Sequence, residues 1–579
     1  MGNWEFLGEE CLTFNSGNQK NGPRALDPYV PAMGKRRLWM RWMAVVASAM
    51  LMAGIFPPYN FTALVWVALL PFLAAAWTVQ GKRRAWKGFA LGYTAGAITY
   101  LIQLTWVGVV ATAGAIALPL YLAVYWGLFG AFAATLGNPW HSRMGATGIA
   151  FSNAAIWAGL EIARGWVITG FGWNALGIGL HNQLIMAQAA DLLGVAGLSG
   201  ILVFIQTLAV QAAGSRKWQP VALALATLAA LAGYGSYRIS SEHARESTRL
   251  KALLVQLNIP MEASTMLWTA EETHMGYEEE TRAGLEANKT NWPDWVVWPE
   301  TALNGRILRL PDGTWGQWQG NSITISQVRE SGPFHLLYGV IEAEGERMGD
   351  QIVPKKGDVY NSLAIMDPED HLQTFRKHHL VIFGETIPFM DTFPWLKEIY
   401  KEQSGEEYGG SFTAGTSLEP LTIQHGAQTL GVIPTICYED TVPRLVRKFI
   451  RPGPQVIVNV TNDGWFKESQ ESEQHYLAGL FRAIELHRPM LRCGNTGVSA
   501  AIDSTGSTRH PDTGVEQILR DSNGSPFTRG SLLAELNVPL LPLVSLYARV
   551  GDIGVIFLTT LGFILAAARR KKPIMHSAR

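Results

Sequence analysis

The stretch GVIPTICYED, residues 431–440, is apolar for the length of a strand and then ends on Cys437, with Tyr438, Glu439 and Asp440 directly behind it. A core cysteine is usually followed by more core. A thiol placed where the chain turns polar is presented as a nucleophile would be, and it becomes useful once a base removes its proton or a cation stabilises its anion. Two other strand ends carry such groups: DWVVWPE closes on Glu300, and QTFRKHHLVIFGE sets Lys377 ahead of another apolar run. Taken singly these are ordinary features, since a carboxylate after a strand is mostly a solvated turn residue, a loop lysine is mostly surface and a cysteine is mostly inert core. Together they supply the parts of thiol-based acyl chemistry.

The elements that must position them begin near Leu250. KALLVQLNI, DWVVWPE, HLLYGVIE, YNSLAIMD, QTLGVIPTIC, QVIVNVTND and GVSAAID read as buried strands, separated by amphipathic segments such as EQHYLAGLFRAIELHR, where Leu477, Leu480, Phe481, Ile484 and Leu486 fall largely on one face. Strands alternating with helices over about 290 residues predict a layered α/β domain, in which chemistry collects at strand ends.

The rest of the chain is different in texture. Of 579 residues, 48% are hydrophobic and only 16% charged, which is low in charge for a soluble enzyme of this length. Apolar segments at 42–56, 61–79, 89–110, 114–136, 146–162, 184–213, 219–236 and 545–568 predict eight transmembrane helices. ALPLYLAVYWGLFGAFAATL has no polar face of the kind a soluble helix shows. Basic residues cluster before the first span, in the Lys82–Lys87 loop, at Arg143, at Arg216 and Lys217, and after the last span. The opposite loops carry little beyond Arg164, so the positive-inside rule puts both termini in the cytoplasm and 237–544 outside, which in a bacterial inner membrane is the periplasm. Four parts follow: a polar, disordered extension over 1–34, helices one to seven over 35–240, a catalytic domain over 245–542, and an eighth helix with a basic tail over 543–579. Zero net charge argues against nucleic acid, and three cysteines cannot build a disulfide scaffold. The 13 histidines show no HxxxH or paired-cysteine spacing and no Gly-rich nucleotide loop follows a strand, so neither metal nor cofactor is expected.

WPET, KHHLVIFGE, ICYED and NVTNDGWF resemble the Glu–Lys–Cys signature of the nitrilase, or carbon–nitrogen hydrolase, superfamily, whose fold is an αββα sandwich. GWVITGFGWNALG, AQAADLLGVAGLSG and LYARVGD extend the resemblance to its membrane-embedded branch, the apolipoprotein N-acyltransferase family, over roughly residues 40–570. The resemblance implies Glu300 as base, Lys377 as oxyanion donor and Cys437 as nucleophile. It further implies Glu385 as a supporting carboxylate, Tyr438 and Glu439 behind the nucleophile, Asn361 as a loop partner, and Gly170 and Trp173 on a membrane loop facing the site. From residue types alone Trp173 reads equally as an interfacial-belt tryptophan, and Glu439 and Asp440 as acids capping a following helix. The sequence departs from the family pattern at Ile382 and Thr386, where Pro and Tyr are usual, and at Cys493, where small residues are common.

The implied reaction is ping-pong. A phospholipid, phosphatidylethanolamine for preference, gives its sn-1 acyl chain to the thiol, and the α-amino group of a diacylglyceryl-cysteine apolipoprotein takes it from the thioester, giving a triacylated lipoprotein. The implied partners are these two lipids and the membrane, for a chain expected to work as a monomer. A membrane-anchored amidase or nitrilase with water as acceptor would use the same triad, but one span would suffice to anchor it. A transporter or receptor would pair ionisable residues across its spans, whereas Glu161 and Asp191 fall near predicted span ends.

Overall fold

The computed structural model describes residues 35–262, 265–382, 384–386, 395, 398, 401 and 411–570. The expectations for the 1–34 extension and for the basic tail beyond Arg570 lie outside these residues. The start of the first helix, up to Arg41, falls in one structural unit and Trp42–Arg579 in a second.

The apolar half forms α1 (Lys35–Gly54), α2 (Leu70–Trp77), α3 (Arg84–Gln103), α4 (Gly114–Ala133), α5 (Ala146–Arg164), α6 (Ala190–Ser215) and α7 (Trp218–His243). Among the described residues three helices, α4, α6 and α7, are long and apolar enough to cross a membrane by themselves, against the eight expected. The difference has physical causes. Segment 61–79 is split into a short 3-10 turn at Thr62–Trp66 and α2, which carries Pro71 in its first turn, where the missing N–H is no loss. Segment 89–110 stops as α3 at Gln103, and α5 buries Ser152, Asn153 and Arg164, polar groups that lower its hydropathy. The span expected from 184 starts at Ala190 and breaks at Leu193–Gly194.

Small residues serve packing here rather than hydropathy. A Cβ on Gly92 of α3 would sit 2.1 Å from the Trp126 carbonyl oxygen, and one on Gly88 2.3 Å from that of Gly130, so α3 and α4 approach backbone to backbone.

The polar half alternates β1 (Ser247–Gln256), α8 (Ala270–Ala287), β2 (Trp295–Val297), β3 (Ile307–Arg309), β4 (Trp315–Gln317), α9 (Gln319–Arg329), β5 (His335–Met348), β6 (Gln351–Met366), β7 (Leu372–Arg376), β8 (Leu421–His425), β9 (Gln428–Ile436), β10 (Gln455–Thr461), α10 (Glu471–Leu486), β11 (Met490–Gly494), β12 (Ala500–Ile502) and β13 (Gly530–Pro539), before α11 (Ile553–Ala568). One sheet runs β13-β1-β2-β5-β3-β4, with β6 on β5 and β7 on β6, and the second runs β8-β9-β10-β11-β12. β1, β2 and β5 are parallel to one another, as are β9, β10 and β11.

Alternation along β1 and β2 shows the layers. Leu250, Ala252, Leu254, Trp295 and Val297 share a core with Val456, Val458 and Leu491 of the second sheet. Leu253, Val255 and Val296 instead join Tyr277 and Leu285 of α8 and Ile325 and Val328 of α9. Leu477, Leu480, Phe481 and Ile484 of α10 lie in the first of these cores, so the order is helix, sheet, sheet, helix. The near-continuous apolar runs of these strands follow from burial on both faces. The same sandwich that the resemblance implied is therefore built, with strands 307–309, 315–317, 421–425 and 530–539 that sequence reading did not pick out.

Candidate active site

Cys437 follows β9 at once and opens a short 3-10 turn, Cys437–Thr441. Its φ is +52°, a left-handed conformation that costs a residue with a Cβ about 1–2 kcal/mol. The surroundings hold it there: Asn459 Nδ2 of β10 donates to the Cys437 carbonyl at 3.1 Å, and the backbone N–H of Ile436 donates to Glu439 Oε2 at 2.9 Å. The strained strand-to-turn position turns the thiol out of the sheet while β9 stays paired, and the residue keeps part of its surface open.

Glu300, just beyond β2, and Lys377, just beyond β7, converge on it. The Lys377 ammonium lies 2.8 Å from Glu385 Oε2 and 3.5 Å from Glu300 Oε1, with only 1% of its side chain exposed. Asn361 Nδ2 donates to both carboxylates, at 2.7 Å to Glu300 and 2.8 Å to Glu385, while the Asn462 N–H donates to Glu300 Oε2 at 3.0 Å. The Glu300 carboxylate and the Cys437 thiol lie close enough to act on each other's charge. Val381 N–H anchors Glu385 at 2.9 Å. The structure thus brings Glu300, Lys377, Cys437, Glu385 and Asn361 into one buried cluster.

Burial raises the Glu300 carboxyl above its ordinary value even though the Lys377 charge pulls it down. Burial and the Glu300 charge together push the Cys437 thiol well up, so the resting sulfur is protonated and depends on a base. Burial would lower Lys377, but Glu385 and Glu300 outweigh it and hold the ammonium charged. The arrangement offers a proton acceptor, a nucleophile and a fixed positive charge around one open atom, which is what acyl transfer through a thioester needs.

Glu439 ties these parts together. Its Oε1 accepts from His378 N–H at 2.7 Å and His379 N–H at 2.9 Å, so the loop after Lys377 is clamped to the turn that carries Cys437. Burial lifts its carboxyl to about 7 against those hydrogen bonds and the Lys377 charge. Its bond to Ile436 caps the 3-10 turn that contains it, and the following helix at Pro443–Val446 has no side-chain cap, against the capping role the sequence suggested.

The membrane loop reaches the site. Tyr438 OH donates to the Gly170 carbonyl at 3.2 Å, and the Trp173 ring lies parallel to Tyr438, 3° between planes and 6.2 Å between centroids. Gly170 has φ +88°, and a Cβ there would meet the Gly165 oxygen at 1.9 Å, so only glycine fits. Trp173 is 3% exposed and donates from Nε1 to Gln474 Oε1 at 2.7 Å. It is buried against Tyr438 and Gln474 rather than exposed as an interfacial-belt tryptophan would be. The same loop is held further out by Arg444, which donates to Gly165 O and to Thr169 O, and by Trp166 Nε1, 2.8 Å from Asp552 Oδ2.

Beneath lies a buried network that sequence reading missed. Arg492 of β11 donates to Asp440 at 2.8 Å, Asn459 at 3.0 Å and Asp463 at 2.9 Å, and His475 bridges the same two aspartates at 2.9 and 3.0 Å. Burial and Arg492 push the His475 imidazole down, but Asp440 and Asp463 lift it to about 10. Arg492 and His475 overcome burial and hold the Asp463 carboxyl low. Asp463, Glu471 and His475 converge closely enough to ligate a metal ion, but the charges of the two aspartates are already matched by the guanidinium and the imidazolium. Its trace in the sequence is polar residues inside apolar strands, Asn459 in QVIVNVT and Arg492 in MLRCG.

Sandwich and cluster together define a carbon–nitrogen hydrolase, and the family model described as "Carbon-nitrogen hydrolase" matches residues 252–518. The model of the "Apolipoprotein N-acyltransferase N-terminal domain" matches residues 48–208. Similar relatives carry the name "Apolipoprotein N-acyltransferase". That of Allorhizobium ampelinum is 30% identical over 494 residues, 81% of this chain and 87% of the relative. That of Geobacter metallireducens is 29% identical over 486 residues, 81% and 86%; that of Bradyrhizobium diazoefficiens is 29% identical over 561 residues, 92% and 95%. The chain belongs to the apolipoprotein N-acyltransferase family.

Proposed function

We propose that this protein transfers the sn-1 acyl chain of a phospholipid, phosphatidylethanolamine for preference, through a Cys437 thioester to the α-amino group of a diacylglyceryl-cysteine apolipoprotein. Family membership supports the reaction class. The observation that carries the substrate class is the aromatic wall: the residue next to the thiol, Tyr438, is bonded to Gly170 and faces Trp173, so one side of the site belongs to the apolar half.

In the first half-reaction Glu300 takes the thiol proton as sulfur adds to the ester carbonyl, and the Lys377 ammonium stabilises the oxyanion. Collapse expels the lysophospholipid alkoxide, which leaves with the proton held by Glu300. In the second half the free amine adds to the thioester, Glu300 accepts its proton, and the thiol is restored when the C–S bond breaks. Working at the membrane spares each acyl chain a transfer to water of about 0.8 kcal/mol per CH₂.

Purified protein given labelled phospholipid and a diacylated lipopeptide is expected to yield triacylated peptide. Release of free fatty acid without transfer would favour the amidase alternative, which shares the triad.

The reading includes eight spans, cytoplasmic termini and a periplasmic catalytic domain, supported by the distribution of basic loops. In intact cells, single cysteines placed at Asn60 and on the catalytic domain of an otherwise cysteine-free protein should react with an impermeant maleimide, and one at Arg84 should not. Labelling at Arg84 from outside would overturn the orientation.

A further inference from the structure

We propose that Gln474 is a positioning residue that fixes the Trp173 wall for the acyl chain. The inference rests on the function proposed above. Gln474 sits in the first turn of α10 and is 1% exposed. Its single oxygen accepts from Trp173 Nε1 at 2.7 Å, Asn174 Nδ2 at 3.1 Å and Trp106 Nε1 at 3.2 Å. Its two amide hydrogens go to Pro57 O at 2.9 Å and Gln103 O at 3.2 Å. Every donor and acceptor site of the amide is therefore spent on the apolar half, on three separate segments of it.

The path from there to the nucleophile is short. Trp173 packs 5.2 Å from Trp106 and 5.5 Å from Phe171, and lies parallel to Tyr438, the neighbour of Cys437. The next residue of α10, His475, stands 5.7 Å from the Trp173 ring and is locked by Asp440 and Asp463. One helical turn thus fixes Trp173 both by its indole N–H and by its face. None of the groups that ionise the thiol or bind the oxyanion, Glu300, Lys377 and Glu385, bonds to Gln474. Loss of the amide leaves two buried indole N–H groups without an acceptor and frees the rings to turn, which displaces a long acyl chain but spares the chemistry of the thiol.

The test compares two ways of loading Cys437 in protein reconstituted into phosphatidylethanolamine-containing vesicles: acylation from the phospholipid, and acylation by p-nitrophenyl acetate. Gln474→Ala is expected to slow phospholipid loading roughly 10–100-fold and to leave loading by the small ester within about twofold. Trp173→Ala should slow phospholipid loading as well, and the double variant should lose little more phospholipid loading than either one, because both act on a single wall. Should Gln474→Ala not fold, Trp173→Phe removes the indole donor while keeping an aromatic ring and should still slow phospholipid loading several-fold. Phospholipid loading at the wild-type rate in these variants, or a parallel fall in both loadings, would overturn the inference. A wild-type protein loaded by the small ester but never by phospholipid would overturn the donor assignment, and this inference with it.

Discussion

Protein given phospholipid and no acceptor is expected to accumulate an acyl group on Cys437 that neutral hydroxylamine releases. Cys437→Ala should abolish the adduct. Cys437→Ser should be severely impaired, because an alcohol is far harder to ionise than a thiol, and the buried site already raises the thiol well above its ordinary value. Glu300→Ala should slow loading by about 10²–10⁴-fold, the usual worth of a general base. Lys377→Ala should cost at least ~10²–10³-fold, as for a lost oxyanion donor, and it also leaves Glu300 and Glu385 facing one another without their shared cation. Cys493→Ser should load normally: its sulfur is buried in β11 against the Val255 and Val297 carbonyls, on the inner face of the sandwich. Intact-protein mass spectrometry reads all five variants, and an adduct that survives Cys437→Ala or maps to Cys493 would sink the assignment.

The second large effect is on stability. Arg492→Met should lower folding stability by about 3–5 kcal/mol, the usual cost of removing one partner from a buried ion pair, since Asp440 and Asp463 then face each other with only His475 between them. Loading should fall with it. Asn459 holds the Cys437 carbonyl and Asn462, beside Asp463, holds Glu300, so the network supports both nucleophile and base. Its pH dependence has a definite sign. His475 is raised from 6.5 to about 10, so its stabilising contribution is complete below pH 6.5 and is lost as pH climbs through 10. Asp463 is held below its ordinary 3.8, so its contribution is complete above that value and is lost only in acid. The Tm of the wild type should therefore decline from pH 7 to 10 by an amount equivalent to a few kcal/mol, on the order set by that shift. His475→Gln, which faces Asp440, Asp463, Glu471 and Arg492 without titrating, should flatten this alkaline limb. An unchanged limb in His475→Gln would assign the decline to other groups.

The catalytic half was legible because two of its central strands are apolar runs that stop just short of a carboxylate and a thiol. β2 ends before Glu300 and β9 before Cys437, and burial of a strand on both faces makes the polar residue that follows it stand out. Asn361, Glu385, Glu439 and Trp173 came from resemblance, since nothing in their local spacing reveals a partner distant in the chain. Gln474 and Arg492 escaped notice for the same reason. A polar residue on an otherwise apolar helix or strand discloses that it is satisfied but not by what. The helix count was read from apolar run length, which does not show that 61–79 is divided between a 3-10 turn and α2 or that α3 ends at Gln103 with a glycine face fitted to α4.

β13 pairs antiparallel with β1 along their whole length, Ser247 opposite Pro539 and Gln256 opposite Gly530, so the first and last strands of the catalytic domain lie side by side. The ribosome makes them about 290 residues apart, at the two ends of a closed loop whose entropic cost grows only slowly with length. The loop that packs on Tyr438 is fastened at Trp166 to Asp552, and Thr559 of α11 reaches back to Ala155 of α5. A nascent chain that already contains Glu300, Lys377 and Cys437 thus still lacks one anchor of the loop that packs on Tyr438 until Asp552 has been made.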